Sequence, residues 1–442
     1  MNMMKEEIIS ALVSWNFWKG KLDTGIDREI YLNTAKRYLN ARKVLAITGV
    51  RRSGKSYLTK QIVDEYVKKI GGKNTLIVNF EEIKFDEDLN ERFLLKLYEA
   101  YREILKPDSI PLIILDEIQE VKNWEKFVRS LDEKKEALFV ITGSSSKLMS
   151  EELATLLTGR TLDLEVFPLN FEEFLGFNNL SIKNKLDLLS NEEKIRTLLR
   201  EYMEFGGFPE VVLDSDIRIK LNLLRKYFDD IITKDVVKRH NIRKSSILER
   251  LGRFYIGNFA SKITFNSCAK FLKMSEKTVE NYSKYLEMAK LLFFIRRFSF
   301  SMKEQEKAPR KLYSISTGFA NVVGFNFSEN IGRIMENLVA VELLRKRSEN
   351  PLIEAYYWSD YSGKEVDFVV REGRKQSQLI QVCYTLKEYA VKERETDSLI
   401  KASKELNCND LLIITWDYEA EEKIKGKKIK FIPLWKWLLI KD

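Results

Sequence analysis

The chain has 442 residues, of which 44% are hydrophobic and 32% charged, with a formal net charge of +9. That length exceeds one compact core and predicts two or three domains, and no apolar run approaches the length of a membrane span. Three scattered cysteines (Cys268, Cys383, Cys408) and a single His240 exclude a disulfide framework, a zinc site built on Cys or His, and Ser-His-Asp catalysis.

The N-terminal stretch MNMMKEEIISALVSWNFW contains acidic residues and lacks a small-residue cleavage site, so it is not read as a secretory signal, and a cytoplasmic location is expected. The basic excess suits an acidic partner such as nucleic acid, and equally suits a soluble surface rich in Lys and Glu.

Over residues 43–175, the short apolar runs KVLAIT, NTLIVNF, PLIILDE, ALFVITG and TLDLEVF recur, and helical patterns separate the first four. This predicts an α/β fold with a mostly parallel sheet covered on both faces. After the first strand comes GVRRSGKS, Gly49 to Ser56, which matches G-x-x-x-x-G-K-[ST] and opens the helix SYLTKQIVDEYVKK. Gly49 and Gly54 let successive backbone N–H groups converge on phosphate oxygens, with Arg51, Arg52, Ser53 and Tyr57 lining the same turn. Lys55 is expected on the β- and γ-phosphates of ATP, and Ser56 on Mg²⁺. About sixty residues on, PLIILDEIQ ends a buried strand with Asp116, expected to hold the Mg²⁺ shell, and Glu117, expected to polarise the attacking water. At the end of the next strand, Thr142, Ser144 and Ser145 are read either as γ-phosphate sensors or as plain turn chemistry. Arg160, in LLTGR, is placed either at a γ-phosphate, in its own or a neighbouring subunit, or in a surface salt bridge.

Residues 40–240 resemble the archaeal-type ATPases of the AAA+/STAND grouping of P-loop NTPases. The resemblance rests on ITGVRRSGKSYL, IILDEIQEVKNWEKFVRSL, VITGSSSKLMSEELATLLTGRTLDLEVFPLNFEEFL and GGFPEVV. It implies that Gly207, Phe208 and Pro209, in a helical lid, touch the nucleotide, and that Arg28 lies near the base. The family's usual sensor Asn is replaced here by serines.

Residues 176–244 read as helices only. Residues 245–297 carry ten Lys and Arg against four Glu, a net of +6, in a pattern of helix, turn, helix and strand. Ser275 is expected to cap a helix that turns Val279, Tyr282, Leu286 and Ala289 inward and Lys273, Lys277 and Lys284 outward. This resembles a winged helix-turn-helix. It is read either as a double-stranded DNA reader, against which Glu276, Glu280 and Glu287 would count, or as an internal module that moves with the nucleotide state.

SMKEQEKAPRK, 301–311, is read as a linker. Beyond it, a helix over about 329–347 sets Glu336 beside its apolar face. In KEVDFVV, period two puts Val366, Phe368 and Val370 on one face, with Glu365 and Asp367 on the other. In the next strand Gln381 and Cys383 share a face, so Asp367 is expected to meet them. The layout resembles the PD-(D/E)XK restriction-endonuclease-like core. Glu336 and Asp367 match that core's helix Glu and strand Asp, while Gln381 and Cys383 depart from its Glu-x-Lys, which implies a degenerate site; Lys387 is a possible substitute for the lysine.

The domains expected are an ATPase core (1–175), a helical lid (176–244), a winged-helix-like segment (245–300), a linker (301–311) and a nuclease-like domain (312–442). The function expected is a Mg²⁺-dependent ATPase whose turnover moves the later domains. The alternatives are a DNA-binding nucleotide switch or, last, an ATP-dependent nuclease. ATP is the expected ligand, DNA or another protein a candidate partner, and an oligomer is open.

Overall fold

The structure, a computed structural model, describes residues 4–85, 88–143, 157, 159–323, 331–386 and 388–440. Ser144, Ser145 and Lys387 lie outside the described residues. The chain divides into two compact units, Met1–Val166 and Phe167–Asp442.

The first unit is built on a five-stranded parallel sheet. Its strands are β1 (Val44–Thr48), β2 (Thr75–Asn79), β3 (Leu112–Asp116), β4 (Leu138–Thr142) and β5 (Thr161–Glu165), in the spatial order β2-β3-β4-β1-β5. Alternate side chains of β1 feed two separate cores. Leu45 and Ile47 pack with Leu58, Ile62 and Val63 of helix Lys55–Ile70 and Leu32 and Ala35 of helix Glu29–Asn40. Val44 and Ala46 pack on the other side with helices Lys5–Leu12, Glu91–Leu105 and Trp124–Glu133. Burial on both faces is why these strands read as continuous apolar runs.

The second unit begins with helices. Glu192–Phe205, Pro209–Leu213 and Ile217–Asp230 are followed by a π-helical turn, Ile231–Lys238. Helices Ser245–Gly257, Phe265–Leu272 and Glu276–Met288 then accompany a small antiparallel sheet of β6 (Ser261–Ile263), β7 (Leu292–Ile295) and β8 (Arg310–Ser314), in the order β6-β8-β7. Ser275 caps the last of these helices by accepting from the Thr278 N–H. Val279, Leu286 and Ala289 are buried as expected, whereas Tyr282 is half-buried and Ser283 takes an inner place.

The linker expected over 301–311 is not there. Met302–Lys307 is a helix capped by Ser301, and Arg310 and Lys311 already belong to β8. The polar composition that suggested a linker is real on the exposed helix. It misleads at Lys311, whose charge is satisfied inside the protein.

The rest of the second unit is a six-stranded mixed sheet: β9 (Ile353–Ser359), β10 (Glu365–Glu372), β11 (Lys375–Cys383), β12 (Leu411–Thr415), β13 (Ala420–Ile424) and β14 (Lys427–Pro433), in the order β13-β14-β12-β11-β10-β9. Helix Ile331–Glu349 shares a core with Phe368, Val370 and Ile380. Helix Tyr389–Leu406 shares the other with Val366, Val369 and Leu379. Val366 therefore faces away from Phe368 and Val370, against the strict alternation expected. The cause is an irregularity in the pairing of β10 with β9 between Val366 and Val369, where an extra residue shifts the alternation. Among the described residues, no helix is long and apolar enough to cross a membrane.

Candidate functional site

The phosphate-loop residues gather at the carboxyl ends of the parallel strands. Gly49 follows β1 with φ 141°, and a Cβ there would come within 2.1 Å of the Val166 carbonyl oxygen, so only glycine fits. Gly54 is left-handed at φ 95° and starts helix Lys55–Ile70 without offering a side-chain cap. The amino end of that helix thus presents backbone donors and positive partial charge to the loop. Ser53 is fully buried, and its Oγ has no hydrogen-bond partner among the described residues. An orphaned hydroxyl in a turn of converging N–H groups fits an oxygen-rich anion.

The Lys55 Nζ donates to the carbonyls of Gly49 and Val50, each at 3.1 Å. Arg52 is exposed with a left-handed φ of 67°, Arg51 is half-buried beside it, and Tyr57 is exposed on the first helical turn. Arg28 is buried and donates from Nη1 to the Ser53 carbonyl at 3.0 Å. Its own N–H donates to the Gln61 side chain, which also holds the carbonyls of Thr24 and Ile26. Arg28 therefore braces the loop from behind.

Asp116 ends β3 beside this loop and is 6% exposed. The Ser56 Oγ donates to its Oδ2 at 3.3 Å, and the Thr142 Oγ1 donates to its Oδ1. Burial pushes the Asp116 carboxyl above its ordinary range, and the neighbouring Glu117 charge adds to this against the Thr142 bond. Glu117 is left-handed at φ 56°, a strained conformation for a non-glycine residue. Its N–H donates to Thr142 Oγ1 at 3.2 Å, and Gln119 Nε2 donates to its Oε2. Thr142 thus links the Asp116 carboxylate to the Glu117 backbone, a positioning role that its place at the end of β4 allows.

Arg160 is not part of this cluster. It lies immediately before β5, at the amino-terminal edge of the sheet, where its carbonyl accepts from the Val44 N–H. A five-residue strand separates that edge from the phosphate loop, about 16 Å. Its guanidinium pairs with Asp132 at 3.3 Å and Glu133 at 2.9 Å. The salt bridge, one of the two roles expected for it, is the one observed, with the phosphate loop of its own chain at the opposite edge of the sheet.

In the second unit, Gly207 is pressed against the Leu169 carbonyl, Phe208 is fully buried against Tyr227 and Phe319, and Pro209 begins a short helix. Further on, the structure brings together Glu336, Asp367 and Gln381, and adds residues the sequence reading missed. The Lys311 Nζ is 2.8 Å from Glu336 Oε1, 2.6 Å from Glu365 Oε1 and 2.8 Å from Asp367 Oδ1. Tyr313 donates to the same Glu336 oxygen at 2.7 Å. Lys262 reaches the other oxygen of Glu365 at 2.5 Å.

The Gln381 Oε1 accepts from the Asp367 N–H at 3.1 Å, and its Nε2 donates to Glu395 at 2.7 Å. Asp367 Oδ2 accepts from the Val382 N–H at 2.9 Å. Burial and the Asp367 charge push the Glu336 carboxyl up to about 7. Burial alone would lower the Lys311 ammonium, but Asp367 and Glu336 hold it well above its ordinary value. Burial, with Glu395, raises the Cys383 thiol to about 11, so it stays protonated. The signal for Lys311 was in the alternation of RKLYS: Lys311 and Tyr313 lie two apart on one face and share Glu336.

Residues 41–175 match the AAA domain family, 196–329 a domain of unknown function (DUF8612) and 331–437 another (DUF4143). The uncharacterized protein MJ1544 of Methanocaldococcus jannaschii is 40% identical over 409 residues, covering 90% of this chain and 88% of that protein. An uncharacterized protein of Haemophilus influenzae is 28% identical over 421 residues, covering 93% of this chain and 98% of its own length. Among solved structures, the Walker-type ATPase PABY2304 of Pyrococcus abyssi is 15% identical, covers 67% of this chain and 95% of its own, and has a TM-score of 0.42, too low to add to the geometry above. The chain belongs to the same family as MJ1544, and in this chain an AAA domain is followed by two domains of unknown function.

Proposed function

We propose that the first unit binds and hydrolyses ATP with Mg²⁺, and that turnover repositions the later domains. The observation that carries this reading is the Asp116 carboxylate, held by Ser56 on one oxygen and Thr142 on the other, beside a glycine-built loop with a buried orphan hydroxyl. Ser56 and Asp116 would hold the metal, which neutralises charge on the β- and γ-phosphates. Gly49, Gly54 and the first turn after Lys55 take the phosphate oxygens through backbone N–H groups. Lys55 exchanges its bonds to the Gly49 and Val50 carbonyls for phosphate, a stronger charge-assisted bond. Glu117 accepts the proton of the attacking water, with Gln119 holding its carboxylate and Thr142 its backbone N–H. Pro209, with Gly207 and Phe208, remains in this reading as a nucleotide-sensing element, and Ser144 as a sensor. The three buried, unpaired cysteines suit a cytoplasmic location.

The test is steady-state ATP hydrolysis with and without duplex DNA, for wild type and Glu117→Gln. Turnover that vanishes in Glu117→Gln while ATP still binds supports the reading. No ATP-dependent heat of binding, or Lys55→Ala binding ATP as tightly as wild type, would remove it.

A second reading, a DNA-binding switch on a winged-helix-like segment, is favoured by one observation. Glu287, which would oppose DNA, is turned inward to accept from the Phe294 N–H, and burial raises its carboxyl. Lys273, Lys277 and Lys284 remain exposed on or beside the same helix. Duplex binding that weakens steeply with salt supports this reading; no binding at low salt ends it. For the last domain we propose a nuclease-like frame without nuclease chemistry, because Gln381 and Cys383 supply neither a charged metal ligand nor a lysine.

A further inference from the structure

The acidic pocket of the second unit holds a cation that belongs to the protein. Lys311, on β8, is 3% exposed, and its ammonium lies 2.6 to 2.8 Å from one oxygen each of Glu336, Glu365 and Asp367. These three carboxylates come from helix Ile331–Glu349 and from β10. The lysine comes from the separate small sheet. Lys262, on β6, stands directly opposite Lys311 in the antiparallel pairing of those strands. Two like charges in that arrangement repel. Glu365 answers both, with one oxygen on each lysine.

Three carboxylate oxygens lie within 2.8 Å of one point, close to the about 2.3 to 2.6 Å of a calcium shell, yet with the lysine in place no group of three or more Asp, Glu, His or Cys among the described residues could hold a metal ion. Three ammonium protons can serve three oxygens, one each. Around this cluster further bonds are already made. The Asp367 second oxygen is taken by the Val382 N–H, and the Gln381 amide is fixed at both ends by Asp367 and Glu395. Glu336 also carries the Tyr313 hydroxyl. With two lysines against three carboxylates, one of them raised toward neutrality by burial, little negative charge is left for a metal.

We infer that Lys311 is the resident cation of the Glu336–Glu365–Asp367 pocket, and that docking of its ammonium and binding of a divalent cation there are mutually exclusive. The pocket then ties β8 to the C-terminal sheet instead of serving metal chemistry. A neutral residue at position 311 would leave a vacant cation site. The inference rests on the side-chain geometry, and it stands or falls apart from the ATP reading because it is tested without nucleotide.

The test measures calcium-dependent thermal stabilisation of the nucleotide-free full chain. Wild type and Asp367→Asn are expected to respond alike to calcium. Lys311→Gln is expected to gain a rise of several degrees, and the double variant Lys311→Gln/Asp367→Asn to lose it. A folded Lys311→Gln with no Asp367-dependent rise would overturn the inference. So would a wild-type rise that disappears in Asp367→Asn. If Lys311→Gln fails to fold, calcium titration calorimetry of wild type against Asp367→Asn decides. Heat that depends on Asp367 overturns the inference, and equal heats support it.

Discussion

Lys55 and Lys311 keep different company. Lys55 donates to the carbonyls of Gly49 and Val50, which are neutral dipoles, and its charge also acts on the Asp116 carboxylate, which two hydroxyls hold. Lys311 meets three carboxylates within 2.8 Å and is buried among them. A lysine hydrogen-bonded to carbonyls beside one carboxylate keeps more of its positive potential and can recruit an anion. A lysine matched by carboxylates has no potential left to offer and acts as a strut. The same residue type is thus a ligand-binding group in one unit and a structural cation in the other, and the difference lies in the charge of its neighbours.

The sharpest attempt to break this comparison is on the catalytic side. Glu117→Gln keeps the size and the Gln119 contact but removes the base, so kcat should fall about 10²- to 10⁴-fold with ATP affinity nearly unchanged. A rate that stays within threefold of wild type, about 0.7 kcal/mol, would say that Glu117 is not the base. Next comes the strut. Lys311→Met should destabilise the second unit by about 3 to 5 kcal/mol, because it strands buried carboxylates, while denaturant melting of the first unit stays where it was. An unchanged transition for the second unit would mean that the pocket relaxes at no cost.

The pH dependence of stability gives a finer test. Glu336 is raised from an ordinary 4.5 to about 7, by burial first and by Asp367 second. The folded protein therefore holds a proton that the unfolded chain releases. The stability this contributes is complete below 4.5 and is lost as pH rises through about 7. Glu336→Gln keeps an acceptor for Lys311 and Tyr313 but cannot titrate. Its urea midpoint should vary less than that of wild type between pH about 5 and about 7, by a total of order 1 to 3 kcal/mol. Equal slopes would place the proton elsewhere. The smallest effect is expected at Arg160. Its pairs with Asp132 and Glu133 are partly exposed, so Arg160→Ala should cost under about 1 kcal/mol and leave turnover per chain unchanged at any protein concentration. A large, concentration-dependent loss of turnover would instead reveal contact with a neighbouring copy.

Much of the first unit was legible because its information is local. Gly49, Gly54, Lys55 and Ser56 are contiguous, and the strand before them and the helix after them orient the loop. Asp116 and Glu117 end a strand whose apolar run marks it as central. Arg160 is legible from its position as well. A residue just before a parallel strand lies at the amino edge, away from a loop that follows another strand. The pocket around Lys311 was not legible in the same way. Its members come from β6, β8, a helix and β10, and each looks ordinary in its own stretch.

By itself, then, the amino-acid sequence determined the parallel sheet, the phosphate loop with its paired acids, and the pairing of Asp367 with the strand of Gln381. These follow from periodicity and short-range stereochemistry, which act within a few residues. Only the tertiary structure decided that Lys311 leaves a stretch that reads as a linker and enters a carboxylate pocket, and that β10 breaks its alternation after Val366. The reason is that burial of a charge depends on partners brought from other segments, and a shift in strand pairing depends on the neighbouring strand.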